Sequence, residues 1–391
     1  MVSGSGVDEV RPKRILWVSD FDMKTSGYQN LSTHICAIAT QYDYEVIALG
    51  LGYQGEEHHY PFSIVPCNTL QECVAILHNF NMGLWNFDYL VVALDIPMQE
   101  IFLGRIVQET KKYKYIVITP VENPPVCSDW AMLLAQADHV FTLSEVGKKA
   151  IEDSGVAQVS RIPIGVDSSV WTPLLDEEME KIARKTLGFG EDDYIVLTVA
   201  DNQERKNLSA AFEIVAKARE KIPNIKYILV SRQFQPTGWR LYDMANYYKI
   251  NDIFSLYERG MPAQDLSLLY SVSNVFLLTS KAEGLGIPVL EAMSCGIPIL
   301  VSDTGALSEL VSENRGWNIP IAFTNLDVWG NSYRGFVDPQ KGADLLVHMY
   351  NSPEEVFSRA GKAHEYIHNE RTWAGCARHF MEELEKLNEQ K

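Results

Sequence analysis

Hydrophobic residues along this chain fall into two rhythms that alternate almost throughout. Short runs rich in Val, Ile, Leu, Tyr and Phe recur as "RILWVSD", "YEVIALG", "DYLVVAL", "YIVITPV", "HVFTLS" and "VSRIPIGV" in the first half. The second half repeats them as "YIVLTVA", "KYILVS", "IFSLYE", "VFLLTS" and "PILVSD". Between them lie amphipathic stretches such as "LSTHICAIAT", "TLQECVAILHNF" and "IFLGRIVQETKK". Continuous apolar runs between helical patterns predict parallel strands covered by helices on both faces. The stretch "SSVWTPLLDEEMEKIARKTLGFGEDD", charged and broken by Pro and Gly, interrupts the alternation and places a linker at 169–192. It separates an α/β domain over 1–168 from a second over 193–365. The tail from 353 onward reads as helical. In open sheets of this kind ligands bind at the carboxyl ends of the strands, so chemistry is expected in the strand-to-helix loops.

Composition narrows the classes. The 391 residues, 46% hydrophobic and 22% charged, have the make-up of a globular chain of two or three domains. The net charge of −17, without a Lys/Arg-rich block, disfavours nucleic acid as a partner. Any anionic ligand must then meet a few deliberately placed cations. The six cysteines (Cys36, Cys67, Cys73, Cys127, Cys295, Cys376) show no CxxC pair, which argues against a disulfide framework or a structural zinc site and for a cytoplasmic location. No run approaches the ~18 apolar residues of a membrane span. The opening "MVSGSGVDEVRPKR" has no apolar core of a signal peptide.

The richest chemistry lies in "VFLLTSKAEGLGIPVLEAMSCGIPILVSD". It parses as strand, loop, helix, strand, with Pro288 in the first helical turn and Gly296 past the last. Glu283 then lies in the loop and Glu291 inside the helix. The amides of Leu285, Gly286 and Ile287 leave the helix N-terminus, where a phosphate can sit, and Gly284 and Gly286 let backbone approach it without a Cβ in the way. From spacing alone, a strained turn flanked by two solvated acids fits equally well.

These residues, together with "ADNQERKNLSAAFEIV" and "HVFTLSEVGKKAIEDSGVAQVSRIPIGVDSSVW", resemble the retaining glycosyltransferases of family 4, whose signature is E-x7-E. The likeness is strong over 138–312 and weak over 40–110. It implies the GT-B fold: two facing Rossmann-like, doubly wound parallel-sheet domains, an acceptor side and a donor side, with a C-terminal helix (366–391) crossing back to the first. It also implies metal-independent transfer of a hexose from a nucleotide-diphosphate sugar, of GDP-mannose or UDP-glucose type, to the hydroxyl of a glycan, lipid or protein. The donor is a co-substrate, and no cofactor is implied.

Carried over position by position, the resemblance gives Glu283 the donor sugar, Glu291 the ribose, and the amides of Leu285, Gly286 and Ile287 the diphosphate. Lys206 and Arg205 would neutralise that diphosphate. Met261, in "YERGMP", would lie by the base, and Gly27, in "TSGYQN", would approach donor and acceptor. Two departures stand out. Asp201 occupies a position where relatives often carry arginine, leaving Arg205 or Arg232 to substitute, and Ile164 replaces the histidine of "HGVD". Glu122, in "TPVENPP", is the candidate acid of the catalytic centre. Epimerisation or hydrolysis of a nucleotide sugar, and an inactive binding relative, are the alternatives.

Three further motifs carry less. "HEYIH" (His364 to His368) matches the H-E-x-x-H zinc pattern but falls in the helical tail, away from any strand end. "DFD" (Asp20 to Asp22) ends a strand and reads as a turn. Trp130, in "PPVCSDWAML", opens a helix near the expected acceptor side.

Overall fold

A computed structural model describes residues 11–22, 27–106, 113–174 and 176–389. Its strands are β1 (Lys13–Asp20), β2 (Tyr44–Leu51), β3 (Ser63–Cys67), β4 (Tyr89–Ala93), β5 (Lys114–Ile118), β6 (His139–Thr142), β7 (Val159–Arg161), β8 (Tyr194–Val199), β9 (Ile225–Ser231), β10 (Phe254–Glu258), β11 (Val275–Leu278), β12 (Ile299–Ser302), β13 (Trp317–Ile319), β14 (Ile321–Leu326) and β15 (Tyr333–Val337). β1 to β7 form one sheet in the order 3-2-1-4-5-6-7, and β8 to β13 a second in the order 10-9-8-11-12-13. Every described pairing within the two sheets is parallel. Both are doubly wound, and strand order reverses between β1 and β4 and again between β8 and β11. The expected α/β class is therefore present twice. The reason lies in the sequence: β4, β11 and β12 are buried along their whole length, as strands covered on both faces must be.

The chain divides into two compact units. The first gathers the chain up to Thr119, Met132–Phe141 and the segment from Ala377 onward; the second gathers Pro120–Ala131 and Thr142–Cys376. The linker expected at 169–192 falls inside the second unit, and part of it is helix. Asp176 accepts from the Met179 amide at 2.8 Å to cap Glu177–Thr186, whose acids lie in the first turn and bases in the last. Backbone bonds from Ile162 to Thr142 and from Val166 to Arg371 draw the stretch before it into the same unit. In the first unit, Phe380 of the last helix (Trp373–Glu389) meets Trp17 edge-on at 5.9 Å and Phe141 at 5.1 Å.

Five strands depart from the sequence pattern. β3 contains Pro66, which its edge position tolerates. "VSRIPIGV" is a strand only to Arg161, before Pro163. β13 has three residues, too few for a hydrophobic rhythm. β14 and β15 form an antiparallel hairpin whose first strand is almost wholly exposed, so it carries no inward apolar face to read. The helix expected over "IFLGRIVQETKK" is present as Ile96–Ile106; the rest of that stretch, with the opening residues and Thr25 and Ser26, lies outside the described residues.

Candidate functional site

The reversal between β8 and β11 splays two loops apart at the carboxyl edge of the second sheet. After β8 the chain runs through a 3-10 turn, Glu204–Lys206, into the helix Leu208–Ala218. After β11 it runs through Thr279–Leu285 to the helix Ile287–Ser294. That helix starts as its sequence dictates. Gly286 adopts a left-handed φ of +94° at the N-cap, Pro288 occupies the first turn, and Gly296 (φ +73°) ends it with its amide on the Met293 carbonyl. A Cβ on Gly284 would stand 2.4 Å from the Pro120 Cβ, so only glycine fits where this loop meets the segment after β5.

Four predicted residues converge here. Glu283, with 7% of its side chain exposed, accepts from Arg205 Nη1 at 2.8 Å, from Ser280 Oγ at 2.6 Å and from Lys206 Nζ. Arg205 also donates from Nε to Glu122 at 2.8 Å, and from Nη1 to the Ala282 carbonyl at 2.7 Å. Glu122 in turn accepts from Arg334 Nη1 at 2.5 Å, and Arg334 Nε reaches Asp327 at 2.6 Å. Burial alone would raise the Glu283 carboxyl, but Arg205 and Lys206 outweigh it and bring it down to about 2. Burial lowers Lys206 in spite of Glu283 beside it. The result is a partly buried chain of alternating charge in which three cations meet three carboxylates.

Glu291 has the opposite environment. Its described partner is the Tyr270 hydroxyl, which donates at 2.9 Å, and burial pushes the carboxyl up to about 7. Two acids eight residues apart are thus tuned in opposite directions.

Asp201, the departure noted in the sequence, is paired. It accepts from Arg232 Nε at 2.8 Å and Nη2 at 2.5 Å, from Arg259 Nη1 at 2.9 Å and from the Asn202 amide at 3.0 Å. It organises two arginines rather than standing alone against an anion. Arg259 opens the loop that contains Met261, ahead of the helix Ala263–Ser271. Leu285 is buried, and Ile287 is the first residue of its helix. Gly27 opens the helix Gly27–Gln41 in the first unit, and Ile164 is a buried core residue. Trp130 packs against the β14–β15 turn, its ring 6.0 Å from that of Trp329.

Sequence reasoning missed Arg334, Ser280 and Tyr270. Arg334 lies on the hairpin that has no readable rhythm, while Ser280 and Tyr270 are ordinary residue types whose partners are set by the fold. His364 donates from Nδ1 to the Ser294 carbonyl at 3.0 Å, with its ring 4.2 Å from that of His368. Among the described residues no group of three or more His, Cys, Asp and Glu is placed to hold a metal ion, and no helix is long and apolar enough to cross a membrane.

Residues 179–322 match the family model described as Glycosyl transferases group 1. The serotype-specific mannosyltransferase WbdA of Escherichia coli is 23% identical over 256 residues, 64% of this chain and 29% of that protein. A GDP-mannose-dependent alpha-(1-6)-phosphatidylinositol monomannoside mannosyltransferase of Mycolicibacterium smegmatis is 25% identical over 199 residues, 49% of this chain and 50% of that one. The match therefore spans less than a third of WbdA and half of the second relative. Among solved structures, sucrose-phosphate synthase from Thermosynechococcus elongatus is similar at a TM-score of 0.76 and 17% identity, covering 97% of this chain and all of that one. The fold is GT-B, and the family match and the relatives support a glycosyltransferase.

Proposed function

We propose that this chain is a retaining, metal-independent glycosyltransferase of family 4. It moves a hexose from a nucleotide-diphosphate sugar, of GDP-mannose or UDP-glucose type, to a hydroxyl of a glycan, lipid or protein acceptor. The observation that carries the reading is Glu283, kept ionised by Arg205 and Lys206 beside a glycine-capped helix N-terminus where strand order reverses. An ionised carboxylate accepts hydrogen bonds from sugar hydroxyls, and a helix N-terminus receives phosphate. Lys206, Arg205 and the amides of Leu285, Gly286 and Ile287 then stabilise the departing diphosphate. Glu291 takes the ribose hydroxyls, with Met261 beside the base. Glu122 holds Arg205 in place from the loop after β5. The donor serves as co-substrate, with no resident cofactor, and the six free cysteines fit a cytoplasmic enzyme.

A thermal-shift series with GDP, UDP, ADP and their sugars tests the reading. A ligand at a hundred times its dissociation constant stabilises the protein by about 2.7 kcal/mol. One nucleotide is expected to shift the transition and Glu291→Gln to weaken that shift; no shift with any of them sinks the proposal. Free monosaccharide or an epimer appearing without acceptor would favour the hydrolase or epimerase instead.

A further inference from the structure

The carboxyl edge of the second sheet carries two separate groups of charged side chains. At the reversal point, Arg205, Lys206 and Arg334 are matched by Glu283, Glu122 and Asp327. One strand over, two arginines share a single carboxylate. Arg232 and Arg259 follow directly on the ends of β9 and β10, and Asp201 lies two residues past the end of β8; the three strands are neighbours in the sheet. The carboxylate draws both guanidinium groups across to the end of β8, next to β11. Asp201 itself is withdrawn, with 10% of its side chain exposed, whereas Arg232 and Arg259 keep 47% and 36%. Burial would raise the Asp201 carboxyl, but the two arginines hold it below the usual carboxylate range.

The loop that carries Arg232 is also pinned. Asn202, fully buried, donates to the carbonyls of Arg232 and Trp239 at 3.2 and 2.9 Å and accepts from the Trp239 amide at 2.7 Å. A Cβ on Gly238 would meet the Asn202 carbonyl oxygen at 2.6 Å, so this closure depends on glycine. Two like charges are thus held side by side by a shared carboxylate on a rigid support. Arginine forks of this kind match phosphate oxygens geometrically as well as electrostatically.

We propose that Arg232 and Arg259 form a cationic seat for a phosphate of the donor, and that Asp201 is the positioning residue that aims them. The proposal rests on the donor reading above.

The sign of one substitution decides it. Asp201→Ala makes the site more positive, so a merely repelling aspartate predicts tighter binding of a nucleoside diphosphate. A positioning aspartate predicts weaker binding despite the added charge. The measurement is calorimetric binding of GDP, UDP, guanosine and uridine to the whole chain, using the base that the wild type binds. Arg259→Gln, on an exposed side chain that folding does not need, is expected to weaken the diphosphate about tenfold and leave the nucleoside unchanged. Asp201→Ala is expected to act in the same direction, with Asp201→Glu recovering part of the loss. Equal losses for nucleoside and diphosphate would assign the pair to the base and overturn the proposal, as would tighter binding by Asp201→Ala or unchanged binding by Arg259→Gln. Wild-type protein that binds neither GDP nor UDP would instead defeat the donor reading itself.

Discussion

At the scale of single residues, Glu283 and Glu291 show what spacing conceals. Both were legible as acids flanking one helix start, but the opposite shifts of their carboxyls were not. They come from surroundings set far along the chain: Arg205 and Lys206 beside Glu283, and burial around Glu291 that the hydrogen bond from Tyr270 only partly offsets. Glu291, raised to about 7 from a normal 4.5, binds its proton more tightly in the folded state. Stability from this group is full below pH 4.5 and is lost as pH rises to 7. Glu291→Gln is therefore expected to gain melting temperature over the wild type between pH 4.5 and 7, with a plateau above. Melting curves across that range check it, and a constant difference would refute the environment described. Glu283, lowered to about 2, has the opposite sign: its contribution is present above pH 4.5 and is lost as pH falls through 2. Glu283→Gln leaves Lys206 and Arg205 short of a counter-charge and is expected to cost about 3 kcal/mol in denaturant unfolding at pH 7.

At the scale of elements, punctuation was the most readable layer. Pro288 and Gly296 marked the two ends of their helix from sequence because proline and glycine act through their own backbone. The hairpin β14–β15 was not readable: its exposed residues, such as Phe323 at 57% and Val328 at 98%, give no alternation. Yet it supplies Arg334 to Glu122, so part of the candidate site was hidden with it. Glycines also differ in ways that only packing reveals. Gly284→Ala forces a contact with Pro120 at 2.4 Å and is expected to cost about 2 kcal/mol. Gly361→Ala, in the helix Pro353–Glu370 with nothing near its added methyl, is expected to gain roughly 0.5–1 kcal/mol. Urea unfolding of the two variants separates them, and the reverse order would contradict the packing.

At the scale of the whole molecule, two doubly wound sheets were legible because buried parallel strands announce themselves as unbroken apolar runs. The division into units was less so, since it depends on which core each segment joins and not on where charge accumulates along the chain. Phe380 makes the point: read as part of a helical tail, it is a core residue of the first unit, against Trp17 and Phe141. Phe380→Ala is expected to cost about 3–5 kcal/mol in that unit. Nucleotide binding, assigned to residues of the second unit, should be unchanged, as titration of the folded variant would check. The same residue sets an order of events during synthesis. Trp17 and Phe141 leave the ribosome early, but the ring that packs between them is added about 240 residues later, on the order of tens of seconds at about 5–20 residues per second. The half of the protein that is made first is thus the half completed last, its core closed by a helix that follows nearly the whole of the second unit.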